Sequence, residues 1–187
     1  MHSVTDILNI LLKSVFVGFG FVIPILALIR TSNIKAIAVK DLFILTAVQA
    51  VRIAGIFYFL LAAKDAYTYF FDGTSYTTSN VSAPAYMLFT FFPPAMTVVL
   101  SQLFWIKKLY MKKAALITFA LLLLILPSDL FVRYLSHWAL GTYGSLWLNF
   151  PAFPGLLSYG LLNIMVFIFI IFIIMLAGGK LKAIADK

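Results

Sequence analysis

Arg52 stands at the middle of the apolar run 42–62. A guanidinium there could tie two helices or two subunits together, or it could serve an anion, a quinone or a proton path. A central arginine costs about 2.5–3.5 kcal/mol to insert into a bilayer and sits too deep to reach water easily, so protein must receive it. Gln49 lies three residues before it and Thr46 three before that. At helical spacing these give one broad polar face.

A second feature lies in the next apolar run, at Pro93-Pro94. Each proline lacks a donor and obstructs the carbonyl four residues back, so Phe89 and Thr90 are expected to lose their helical partners. Such carbonyls are not tolerated against lipid. Thr90, Pro94, Thr97 and Ser101 follow helical spacing and form a polar stripe along the bend. Two outcomes follow from this: Arg52 donates to the freed carbonyls, or water and threonine hydroxyls fill the kink. A third cluster is Asp129, Arg133 and His137, spaced four apart. Aspartate before arginine at this spacing is the favourable order for a helical ion pair. His137 adds a group of near-neutral intrinsic pKa, so the cluster is either a salt bridge at the membrane boundary or a proton- or quinol-handling site.

The remaining composition removes other chemistry. With no cysteine there are no disulfides, iron–sulfur clusters or thiolate zinc sites. The histidines are His2 and His137 alone, and every acid is an aspartate, which excludes a Glu-x-x-His metal site. No metal and no cofactor is expected to be bound by this chain alone, although a quinone or a lipid fits its apolar character. No serine–histidine or paired-aspartate arrangement lies convincingly within the apolar runs, so catalysis by the chain on its own is not expected.

These residues need elements to position them, and hydropathy supplies an all-α membrane bundle. Of 187 residues, 64% are hydrophobic and 11% charged, against roughly a quarter charged in soluble domains; the mean hydropathy is +1.07. Five stretches approach the roughly 20 apolar residues needed to cross a bilayer: 7–29, 42–62, 85–106, 114–132 with a polar-edged extension to 138, and 156–176. The whole chain, 1–187, then reads as one transmembrane domain. The first stretch lacks a basic N-region and a small-residue cleavage pattern, so it reads as a retained helix rather than a signal peptide. Residues 63–83 and 138–155, rich in aromatics, read as outer loops folded against the headgroups.

The net charge of +8 suggests nucleic acid until its distribution is considered. Arg30, Lys35, Lys40, Lys107, Lys108, Lys112, Lys113, Lys180, Lys182 and Lys187 fall in the connections of one side, and only Lys64 and Arg133 in those of the other. This is the asymmetry that orients a membrane protein, with the N-terminus outside and the C-terminus in the cytoplasm. It is not a phosphate-tracking face, and no nucleic-acid partner is expected. The expected location is a bacterial cytoplasmic (inner) membrane.

The run Ser101-Gln102-Leu103-Phe104-Trp105-Ile106-Lys107-Lys108-Leu109 resembles a Pro-Gln-Leu-Leu/Phe-Trp-Phe-Lys-Lys stretch of polysulphide-reductase-type (NrfD-like) membrane quinol subunits. Gly55, Tyr58, Ala66-Tyr67-Thr68-Tyr69 and Gly73 are similar to that family's Gly…Tyr…Ala-Trp-Tyr-Ser-Gly region. The likeness spans residues 46–135, with serine in place of proline at 101. It implies a four-helix quinol-binding or quinol-derived bundle inside a respiratory complex. The expectation is therefore a small cofactor-free subunit of an electron-transfer assembly, with other membrane subunits and lipids as partners. The alternative is a small oligomeric transporter or channel whose polar path runs by Arg52 and the Pro93-Pro94 bend.

Overall fold

The computed structural model describes residues 4–71, 83–126 and 153–179; within these, the side chains of 69, 70, 83–90 and 153–159 are not described. The elements are α1 (Val4–Leu28), α2 (Ile34–Phe71), α3 (Ala83–Leu103), α4 (Lys107–Met111), α5 (Lys113–Ile125) and α6 (Phe153–Ala177). The all-helical expectation holds for the described residues. Among the described residues, three stretches are long and apolar enough to cross a membrane: Val4–Leu28, Ile34–Thr68 and Gly160–Ala177. Phe91–Leu103 and Lys113–Ile125 are shorter apolar helices.

The second helix departs most from its expected limits. It begins at Ile34, because the Asn33 Oδ1 accepts from the Lys35 and Ala36 amides at 3.0 and 3.4 Å and so caps the first turn. It continues to Phe71, where an outer loop from residue 63 was expected. Ala62, Ala63 and Ala66 favour helix, and the Thr68 hydroxyl donates back to the Lys64 carbonyl. Tyr67 and Phe71, one turn apart, stack at 4.8 Å. At 1.5 Å per residue the 38 residues of α2 extend about 57 Å.

Close packing brings α1 and α6 together in parallel. Ser14 lies beside Asn163 and Gly18 beside Phe167, so both numbers rise together. A Cβ at Gly18 would overlap the Cβ and ring of Phe167. The absence of that atom lets the helices approach, as small residues do between membrane helices. Asn163, Phe167, Ile171 and Met175 are buried at four-residue spacing and form the single inward stripe of α6. Phe169, Phe172, Ile173 and Ile174 face outward.

A chain of edge-to-face rings joins the helices through the centre. Phe43 of α2 meets Phe167 of α6 (6.2 Å), which meets Phe19 of α1 (6.4 Å). Phe19 meets Phe104 (5.1 Å), and Phe104 meets Phe119 of α5 (6.3 Å). Edge-to-face pairs add about 0.5–1.5 kcal/mol each beyond area burial. Phe19 and Phe167 are fully enclosed.

Gly18→Ala should therefore destabilise the bundle by about 1–3 kcal/mol through overpacking. Pairing it with Phe167→Gly, which removes the opposing Cβ as well as the ring, should cost less than the sum of the two single changes. Thermal unfolding of the four members of this double-mutant cycle in detergent checks it. Strictly additive effects would mean that the two residues do not pack against each other.

Candidate functional site

The chain leaves helix between α3 and α4, and that break creates the site. The last four carbonyls of a helix lack intrahelical donors. Here the Trp105 and Ile106 amides turn back to the Gln102 and Leu103 carbonyls, both at 3.0 Å. The Phe104 carbonyl receives a side chain instead. Arg52 donates to it from Nε at 2.8 Å and also from Nη2. A cation at this end of α3 also complements the helix dipole.

Two rings flank the guanidinium. Its central carbon lies 5.0 Å from the Trp105 ring centroid and 4.9 Å from that of Tyr110. Both are within cation–π range, worth about 0.5–2 kcal/mol each according to exposure. Gln102 completes the cradle. Its Nε2 donates to the Arg52 carbonyl at 3.2 Å, and its Oε1 accepts from the Trp105 indole N–H at 2.8 Å. One amide side chain thus ties the backbone of α2 to the ring that covers its arginine.

Gly55 makes this geometry accessible. A Cβ there would overlap the Ser101 hydroxyl oxygen and lie 2.6 Å from the Gln102 Nε2. Any side chain at 55 would therefore push α3 away from α2 one turn beyond Arg52. Ser101 is buried, and its hydroxyl donates to the Val98 carbonyl at 2.8 Å.

The expected site residues separate. Arg52 does donate to a main-chain carbonyl beyond the double proline, but the acceptor is Phe104 rather than Phe89 or Thr90. Pro94 and Phe104 are ten residues apart, about 15 Å along a helix. The arginine thus meets the end of α3 and not its proline segment. Thr97 is buried and donates to the Pro93 carbonyl at 2.8 Å, an ordinary back-bond within its own helix and not to the Phe89 or Thr90 carbonyl that the prolines free. Thr46 is buried and returns its hydroxyl to Leu42 at 2.8 Å. Gln49 is exposed, so the expected polar face does not converge on the cradle. Asp129, Arg133 and His137 lie outside the described residues, as does the side chain of Thr90.

Among the residues of the cradle, Tyr110 had no part in the sequence reading, and Gln102, Trp105 and Gly55 entered only through the resemblance. The available signal was Trp105 and Tyr110 on either side of Lys107-Lys108, an aromatic–basic pattern typical of a membrane boundary. Among the described residues, no group of three His, Cys, Asp or Glu side chains could hold a metal ion. No family model, curated protein or solved structure matches this chain.

Arg52→Leu should cost about 1–3 kcal/mol, the penalty for a buried carbonyl left without a donor. Arg52→Lys should retain part of the stability but lose the stacked, forked contact. Thermal unfolding with tryptophan emission tests the series. Equal stability in all three proteins would show that the Phe104 carbonyl does not need the arginine.

Proposed function

We propose that the chain is a cofactor-free integral membrane subunit of a larger complex, and that this complex is a quinol-linked electron-transfer assembly. The observation that carries the reading is the convergence of the family-like residues. Gly55 and the run Gln102, Phe104 and Trp105 are separated by up to fifty positions, yet they meet in one interlocked cradle around Arg52. The broad apolar exterior, including Phe169, Phe172 and Ile173 of α6, suits neighbouring membrane subunits and lipid.

In this reading the chain crosses the membrane five times, with its N-terminus outside and its C-terminus in a bacterial cytoplasm. The parallel pairing of α1 with α6 supports a common end for the first basic connection and the C-terminal tail. The antiparallel pairing of α2 with α3 adds Lys107, Lys108, Lys112 and Lys113 to that end. The transporter alternative has less support. Arg52 is engaged by a carbonyl and two rings, and about 15 Å of α3 separates its acceptor from Pro94.

The absence of cysteine permits a clean orientation test. Lys112→Cys should react with a membrane-impermeant maleimide only after cells are opened, and labelling of intact cells would reverse the topology.

Purification of the full chain in mild detergent tests the assembly. Stoichiometric recovery of redox subunits, identified by mass spectrometry and by haem or flavin absorbance, is the expected result. A symmetric homo-oligomer with no redox partner would overturn the reading in favour of a transporter or channel.

A further inference from the structure

We propose that the outward side of the Arg52 cradle binds the phosphate of an anionic phospholipid headgroup. The inference rests on the membrane-spanning reading alone, not on the quinol-linked complex.

A guanidinium carries five N–H donors. Arg52 directs Nε and Nη2 to one carbonyl, and Nη1 makes no hydrogen bond. Among the described residues no buried side-chain nitrogen lacks a partner, so Nη1 reaches the surface of this half-buried residue. Its central carbon lies over the Trp105 and Tyr110 rings at about equal distance, so Nη1 is the nitrogen left for a further acceptor. An edge-on acceptor with two oxygens matches the fork of a guanidinium, as phosphate and carboxylate do.

The surroundings favour an anion. Lys107 precedes Tyr110 by one helical turn, so it lies on the same side of α4. Lys108, Lys112 and Lys113 are also exposed near this break. The described acids are Asp6, Asp41 and Asp65. Asp41, the one nearest this end of α2, lies eleven residues from Arg52, about 16 Å along the helix.

A lipid is favoured over a free anion because apolar surface adjoins these cations. Trp105, Ile106 and Met111 are 57%, 50% and 66% exposed. They offer acyl-chain contacts immediately beside the phosphate-binding groups. Basic sites beside membrane helices recognise anionic headgroups in this way.

Native mass spectrometry of the purified full chain tests the site, with titration by dioleoylphosphatidylglycerol or dioleoylphosphatidylcholine. The anionic lipid should bind about tenfold more tightly, and Arg52→Gln should weaken it by a similar factor. Lys107→Gln with Lys108→Gln changes only exposed side chains, so it decides the matter if the arginine variant does not fold. Each lysine should account for roughly fivefold. Arg30→Gln, beyond the cradle, should leave binding within about twofold. Equal binding of the two lipids would overturn the proposal, as would undiminished phosphatidylglycerol binding in the lysine variant. Displacement by millimolar inorganic phosphate would also overturn it, by marking a free-anion site.

Discussion

A half-buried guanidinium donating to a carbonyl at a helix break is the constraint around which this bundle is arranged. At the centre of a membrane helix an arginine is unfavourable by about 2.5–3.5 kcal/mol, an upper figure for Arg52, whose guanidinium lies beside Tyr110 in the basic run 107–113. A hydrogen bond involving a charged group returns about 1.5–3 kcal/mol, and two ring contacts add about 0.5–2 each. The contacts at Arg52 therefore match its insertion cost, but only in a closed cradle. Closure requires α3 to stop at Leu103, Gly55 to admit Ser101, and Gln102 to steady Trp105. If any one of these fails, both the arginine and the carbonyl lose their compensation.

The same physics recurs at a second helix end. Lys40, also on α2, donates to the Ile29 carbonyl just beyond α1 at 3.0 Å. Two cations of one long helix thus serve the C-terminal ends of its two sequence neighbours, α1 and α3. Elsewhere among the described residues the buried polar side chains are neutral. Ser14 has one hydroxyl proton to share between the Ile10 carbonyl at 2.9 Å and the Asn163 Oδ1 at 2.7 Å. Thr46, Thr97 and Ser101 return theirs to their own helices. Charge is reserved for the backbone acceptors that a helix cannot satisfy for itself.

The apolar runs were legible because hydropathy acts residue by residue. The need for an acceptor at Arg52 was legible for the same reason. Its identity was not, because proline marks a possible carbonyl defect in the sequence whereas a helix end must be located first. Gln49 is a helical neighbour of Arg52 by spacing, but three residues still leave about 60° between the two side chains, and Gln49 falls on the exposed side of that arc. The length of α2 escaped hydropathy as well. Lys35 and Lys40 look like loop residues, and only the Asn33 cap reveals where the helix begins.

The acceptor of Arg52 belongs to no side chain. Residue 104 contributes its ring to the central aromatic chain and its carbonyl to the guanidinium, and these roles are chemically independent. Replacing the phenylalanine removes the ring and leaves the carbonyl in place. An alanine scan would then record position 104 as packing alone and overlook its electrostatic part. Amide-to-ester replacement at the peptide bond following Phe104 weakens that carbonyl as an acceptor but also deletes the Trp105 N–H that turns back to Gln102. Comparing its effect with and without Arg52→Leu therefore isolates the electrostatic part. The arginine is thereby tied to the path of the main chain, and the letter at 104 is free to vary wherever another ring can fill the same space.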